Sequence, residues 1–199
     1  MMAGKRQIEK VGEAQKPMAM HPKKFAFWLF LLTVVMVFAA LTSAYIVRRA
    51  DGNWLEFSLP DTFWINTAII VLSSITMQWA YFAAKKDNLD QLKLALLITS
   101  LAGVAFLLGQ LMAWGNLVEI RVFFAGAESN PAGSFLYVLT GLHGLHLVSA
   151  LIFLVVVLIN SLKLKIHSKN MLQIELCTTY WHFLGALWIY LFGFLLLYN

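Results

Sequence analysis

Five long runs of apolar residues, separated by short polar stretches, divide the chain. Each run has about 20 or more residues, the length that an α-helix needs to cross a hydrocarbon core about 30 Å thick. Because lipid offers the backbone no hydrogen-bond partner, each run is predicted to be a helix. The predicted spans are residues 25–47, 63–84, 92–114, 134–162 and 174–198.

The composition supports a lipid environment for most of the chain. Hydrophobic residues make up 60% of its 199 residues, charged residues only 13%, and the mean hydropathy is +0.74. A soluble domain has about 25% charged residues, and a globule with so few could not cover its surface with polar groups. We therefore expect an all-α integral membrane protein with five transmembrane helices.

The basic residues predict how the chain crosses the membrane. Twelve Lys and Arg residues lie in the N-terminal segment and in the loops around residues 85–93 and 163–173, whereas three lie on the other side. Cytoplasmic loops carry the excess of positive charge, so we expect a cytoplasmic N-terminus and a periplasmic C-terminus in a bacterial inner membrane. The net charge of +5 does not indicate nucleic acid as a partner, because the basic residues form short clusters rather than a continuous face.

The predicted domain organisation is simple. A basic cytoplasmic tail, residues 1–24, precedes one membrane domain, residues 25–199, and no leader is expected to precede the first span because the tail has no apolar core. The single cysteine, Cys177, excludes an internal disulfide and any metal site built from several cysteines.

Polar residues inside the spans are the candidates for function, because they are expensive in lipid. They concentrate in the last two spans. Glu175, Thr178, Thr179 and His182 recur at helical spacing, as do Thr140, His143 and His146 with Gly141 and Gly144 beside them. Since a short loop joins these spans, we expect them to be antiparallel neighbours with a polar seam of small residues between them. Gln78 and Gln110 are expected to bond to facing helices.

Three explanations of the seam are open. In the first, a neutral imidazole bonds to a carbonyl or hydroxyl group of the facing helix, which contributes about 0.6–2 kcal/mol. In the second, imidazoles bind haem or a metal; a di-haem membrane cytochrome would use His143 or His146 together with His182. The third is a proton relay through these groups.

The role of Glu175 is also open. It lies near the cytoplasmic end of its span, where it could pair with Lys163, Lys165 or Lys169, or orient a lipid headgroup or a partner subunit. A small transporter is the other class of function considered. It is disfavoured because no carboxylate lies in the middle of a span.

Two motifs resemble a known family. The run TGLHGLHL (Thr140–Leu147), preceded by Gly133–Phe135, and the run YWHFLGALW (Tyr180–Trp188), preceded by Glu175, resemble the signatures of subunit III of the haem–copper terminal oxidases. The resemblance extends back through GQLMAW (Gly109–Trp114) to SAY (Ser43–Tyr45) and so covers about residues 25–199. The two histidine motifs, found together at this separation, are specific for this family.

The resemblance implies a short, five-helix form of a non-catalytic subunit of a respiratory oxidase, which passes electrons from cytochrome c or a quinol to O₂ while translocating protons. It implies subunit I as the main partner, haems and copper only on other subunits, and bound phospholipid. The chain would stabilise subunit I and shield the proton-uptake region. The two helices that longer relatives have at the N-terminus would come from an extended subunit I.

For the site, the resemblance implies no catalytic and no metal-ligating residue on this chain. We expect five residues to hold the last two helices in register and to flank lipid: His143, His146, Glu175, Trp181 and His182. Gly141, Gly144 and Gly185 are expected to allow close helix packing. The chain also departs from the family pattern, since Thr33, Ala113 and Gly185 stand where many members have a carboxylate.

Overall fold

A computed structural model describes residues 22–52, 54–126, 129–164, 166 and 170–198. These residues form five α-helices and contain no strand. The helices are α1 (Pro22–Ala50), α2 (Thr62–Lys85), α3 (Leu89–Glu119), α4 (Pro131–Leu162) and α5 (Leu172–Tyr198). All five are long and apolar enough to cross a membrane, which confirms the five predicted helices.

The helices extend beyond the predicted spans. Helix α1 begins at Pro22, so the last residues assigned to the tail belong to the helix, and residues 1–21 lie outside the described residues. Helix α3 continues past Trp114 to Glu119. Hydropathy marks only the part of a helix inside the hydrocarbon, whereas hydrogen bonding continues into the headgroup region.

Asparagine side chains cap the N-termini of two of the helices. The Asn88 side chain accepts a hydrogen bond from the Gln91 N–H (3.2 Å) at the start of α3. At the start of α4, Asn130 accepts from the Ala132 N–H (3.0 Å), and Pro131 takes the first helical position. Asn side chains satisfy free N–H groups at helix N-termini, and Pro at the first position loses no bond there.

Helices α2 to α5 form a closed ring of neighbours. Helix α3 contacts α2 and α4, and α5 contacts α4 and α2. Helix α1 lies outside this ring against α4 and α5, and within the described residues it packs on neither α2 nor α3. The predicted contact between the last two spans is confirmed, but α5 also has two other neighbours.

Aromatic side chains fill the centre of the ring. The Phe63 ring lies parallel to Trp188 at 5.9 Å, and the Phe106 ring meets Trp188 edge-on at 4.8 Å. The indole N–H of Trp188 donates to Thr67 Oγ1, also on α2, at 3.0 Å. A buried indole needs such a partner, so α5 is fixed to α2 by both ring contact and hydrogen bond.

The outer surface is apolar. Helix α1 alone exposes Phe25, Trp28, Met36 and Val47, each by more than half of its surface. A soluble protein rarely exposes such continuous apolar surface. This surface suits lipid and the helices of other membrane subunits.

Candidate functional site

The polar residues of α5 share one face of the helix, as their spacing in the sequence predicts. Four of its residues, together with Gln78 and Tyr81 of α2, line one groove of about 330 Å³. We call this the polar groove; its α5 residues are Glu175, Thr178, Thr179 and His182. The prediction that these four side chains share one face is therefore confirmed.

The neighbour of this face is α2, not α4. The Nε2 atom of His182 lies 3.0 Å from Gln78 Oε1, so His182 is bonded to α2. The expected single seam between α4 and α5 is therefore wrong. Spacing along a helix shows which residues share a face, but it does not show which of three neighbouring helices covers that face.

Glu175 pairs with a different lysine from those expected. Its Oε2 atom lies 2.6 Å from Lys24 Nζ, at the start of α1. Both side chains are partly exposed, so the pair contributes only about 0–1 kcal/mol to stability. Of the expected partners, Lys165 and Lys169 lie outside the described residues. The ion pair joins α1 to α5 at the end of the bundle where the polar groove lies.

An apolar groove continues from the polar one. It has a volume of about 520 Å³ and shares Gln78 and His182 with the polar groove. Its other lining residues all belong to α2: Val71, Ser74, Ile75, Trp79 and Phe82. Together the two grooves form one furrow, whose polar part lies between α2 and α5 and whose apolar part runs along α2; the two parts meet at Gln78 and His182.

His143 is buried in the ring rather than in a seam. Its side chain is completely inaccessible, and its ring lies 5.9 Å from Phe106 of α3 and 5.2 Å from Trp188 of α5. Neither ring nitrogen has a hydrogen-bond partner. The first explanation of the seam, a bond from His143 to the facing helix, is therefore wrong for this residue.

His146 faces α1. Its Nδ1 atom lies 2.8 Å from the Leu142 carbonyl oxygen of its own helix, and its ring lies 5.8 Å from Phe38 of α1. The Ser149 and Tyr180 hydroxyl groups are 2.7 Å apart and set the register of α4 against α5. Because the two helices are antiparallel, this register places His146 and His182 at a similar depth.

The three histidines nevertheless face different helices. His143 meets α3 and α5, His146 meets α1, and His182 meets α2. No two imidazoles in the described helices face each other across a common space, as the di-haem alternative requires. Nor do the described residues contain a group of three or more His, Cys, Asp or Glu side chains that could hold a metal ion.

Trp181 connects three helices. Its indole N–H donates to Ser73 Oγ of α2 at 3.0 Å. Its ring packs on Gly103 of α3 so closely that a methyl group on Gly103 would lie only 2.7 Å from the ring. Gly185 of α5 similarly lies against Ser74 Oγ of α2. A methyl group on Gly141 would make ordinary contact with Trp114, and one on Gly144 would meet nothing within 4 Å.

Thr33 and Ala113, two of the three positions where many family members have a carboxylate, lie in different surroundings. Thr33 is exposed on α1 and bonds to the Phe30 carbonyl oxygen of its own helix at 2.7 Å. Ala113 is completely buried on α3. A carboxylate at Ala113 would need a buried partner, whereas one at Thr33 would lie on the outer surface.

Sequence reasoning missed the contribution of α2. Thr67, Ser74, Gln78 and Tyr81 recur at intervals of seven, four and three, which places them on one helical face. Of these, the sequence pattern pointed only to Gln78, and its predicted bond to a facing helix is confirmed. The same prediction for Gln110 is wrong, because neither polar atom of that side chain has a hydrogen-bond partner. This row of polar residues on one face of α2 is the pattern in the sequence that could have indicated α2 as the helix covering the polar face of α5.

Comparison with known proteins agrees with the motifs. Residues 55–199 match the family model of cytochrome c oxidase subunit III. The chain is 34% identical over 175 residues to a probable cytochrome c oxidase subunit 3 of Nocardia farcinica, covering 83% of this chain and 82% of that protein. It is 28% identical over 193 residues to cytochrome c oxidase subunit 3 of Alkalihalophilus pseudofirmus, covering 90% and 93%. The rat protein of that name is 30% identical over 190 residues, covering 88% of this chain and 69% of the rat chain.

Proposed function

The chain belongs to the cytochrome c oxidase subunit III family, and from that premise we propose how its surface and its furrow serve the oxidase. It is a non-catalytic subunit of a haem–copper oxidase, an oxidoreductase complex, and a multi-pass protein of the bacterial membrane. Its role is to stabilise the catalytic subunit I, to hold phospholipid beside it and to shield the region of proton uptake.

Subunit I covers the outlying helix in this proposal. Helix α1 packs only on α4 and α5 and exposes large apolar side chains over most of its length. In lipid, helices associate through close packing and polar bonds rather than through hydrophobic exclusion. Helices supplied by an extended subunit I would give α1 the packing that α2 and α3 do not provide.

The furrow along α2 and α5 holds a phospholipid in this proposal, and its two-part lining is the observation that carries the idea. The apolar groove offers an acyl chain a wall of α2 side chains. The polar groove offers the headgroup the Tyr81 and threonine hydroxyl groups. A phospholipid likewise joins a polar headgroup to apolar chains.

Two features of the polar groove support a bound headgroup. The Thr178 hydroxyl lines the groove, is more than nine-tenths buried and has no hydrogen-bond partner. Buried hydroxyl groups are normally bonded, so a polar group of a ligand would satisfy it. The adjoining Lys24–Glu175 pair presents both signs of charge to a phosphate or to an attached polar group.

Haems and copper belong to other subunits in this proposal. The support from this chain is that His146 and His182 are bonded within the protein and that His143 is enclosed by aromatic rings. The chain therefore contributes packing and lipid to the complex, and other subunits contribute the redox chemistry.

Native mass spectrometry of the purified oxidase tests the lipid site. We expect the Glu175→Gln/Thr178→Val double variant to retain one phospholipid fewer per complex than the unaltered oxidase after washing with mild detergent, because the headgroup loses its charged and hydroxyl partners. Gln173→Leu is the matched control. Gln173 lies on the first turn of the same helix, but it bonds to Asn160 of α4 and does not line the furrow. The oxidase with this control substitution should therefore retain every lipid.

Equal lipid numbers in the double variant and the unaltered oxidase would contradict the lipid site. Loss of lipid from the control as well would also contradict it, because the effect would then not belong to the furrow.

A further inference from the structure

Two buried amide side chains and one buried imidazole in the described part of the ring have no hydrogen-bond partner. They are Asn66 of α2, Gln110 of α3 and His143 of α4, and at most 3% of each is exposed. Both polar atoms of each side chain lack a hydrogen bond. By contrast, the buried hydroxyl groups of Ser73, Thr99 and Thr140 each donate to a carbonyl oxygen of their own helix.

The contacts of neighbouring residues indicate that the three side chains lie in one layer of the bundle. Phe106, Gln110 and Trp114 follow each other at intervals of four on α3 and therefore share a face. Phe106 contacts His143, and the Trp114 indole N–H donates to Thr140 Oγ1 at 3.1 Å. Gln110, midway between them on α3, therefore faces α4 between Thr140 and His143.

Asn66 approaches the same layer from α2. A methyl group on Gly109 would overlap the Asn66 amide, so this amide lies against the α3 backbone next to Gln110. The absence of a side chain at Gly109 is what lets the Asn66 amide come so close. Three helices thus each bring one polar side chain to the centre of the bundle.

Leaving such groups unpaired is expensive. A buried amide or imidazole without a hydrogen bond is not compensated for its lost hydration, and lipid around the bundle offers no alternative partner. Buried polar groups that no protein atom satisfies are commonly bonded by internal water, which makes about three hydrogen bonds per molecule. The two amides and the imidazole supply both donors and acceptors.

We propose that Asn66, Gln110 and His143 form a binding site for internal water in the centre of the α2–α5 ring. The water joins α2, α3 and α4 through hydrogen bonds that the side chains do not make with each other. Phe63, Phe106 and Trp188 pack beside this layer and are completely buried, so the water is isolated from the aqueous phases. This site is separate from the furrow and does not depend on the proposed lipid.

A structure of the whole oxidase by electron cryo-microscopy, at a resolution that shows ordered water, tests the proposal. We expect a water within about 3.2 Å of the Gln110 amide and of Asn66 or His143. In Gln110→Leu, which keeps the size but removes both polar atoms, this water should be lost. Gln78→Leu is the matched control, because Gln78 bonds directly to His182, and the water should remain in it.

The unaltered oxidase alone can overturn the proposal, even if Gln110→Leu fails to assemble. Direct bonds from Asn66 to Gln110 or from Gln110 to His143, with no water density between them, would contradict it. Water density that persists unchanged in Gln110→Leu would also contradict it, because that water would be held by other groups.

Discussion

Gly103 of α3 lies where the structure leaves no space for a side chain. A methyl group there would come within 2.7 Å of both Trp181 and Leu151, and Trp181 is fully buried and bonded to Ser73. We expect Gly103→Ala to destabilise the subunit by about 1–3 kcal/mol through overpacking. The temperature at which the buried thiol of Cys177 becomes reactive in the purified complex measures the effect.

Gly144→Ala is the matched control, because a methyl group there meets nothing within 4 Å of the chain. Alanine is the better helix former by about 1 kcal/mol, so this variant should be as stable as the unaltered subunit or slightly more so. Equal thermal behaviour of the two variants would contradict the close contact at Gly103.

At the scale of single residues, spacing predicted which side chains share a face but not what covers them. The four polar residues of α5 share a groove as expected. Their partner is α2, because Gln78, rather than a group on α4, lies opposite His182. The lysine opposite Glu175 was not predicted, since Lys24 is far away in sequence and was assigned to the tail.

The ends of α2, α3 and α4 share one feature. Each is followed by a residue other than glycine with a positive φ: Asp87 (54°), Arg121 (60°) and Leu164 (57°). Glycine is the usual residue at this position because it has no Cβ. Turns of this kind carry no glycine signal in the sequence, so these ends could be predicted only from the fall in hydropathy.

Leu164→Gly should therefore stabilise the end of α4. The left-handed conformation costs a residue with a Cβ roughly 1–2 kcal/mol, part of which glycine recovers. We expect a higher temperature for exposure of the Cys177 thiol. Lys163→Gly is the control, because Lys163 has a φ of −81° and gains nothing from glycine. No stabilisation by Leu164→Gly relative to Lys163→Gly would contradict the argument.

For the whole molecule, hydropathy predicted the number of helices but not their arrangement. Five spans follow from what lipid demands of a backbone. The helices are apolar on the faces exposed outward as well as on those packed inward, so the pattern does not show which face is buried. That α1 lies outside the ring of α2 to α5 follows from packing between distant segments, which no local pattern encodes.

The orientation remains a prediction from the charges, and single cysteines test it. In a Cys177→Ser background, Ser58→Cys places a thiol in the exposed loop before α2, and Lys86→Cys places one after it. Positive charge near Lys86 predicts the cytoplasmic side. A membrane-impermeant thiol reagent should label Ser58→Cys in intact cells and Lys86→Cys only after permeabilisation. The reverse pattern would show that the N-terminus lies outside.

The central claim is that this chain is a companion subunit without a haem of its own. The most direct test is the haem content of the purified oxidase, measured by its visible spectrum per complex, in His143→Gln, His146→Gln and His182→Gln. Because each imidazole faces a different helix, we predict that all three variants retain the full haem content of the unaltered oxidase. Loss of one haem equivalent in any of these variants, from a complex with all of its subunits, would contradict the account.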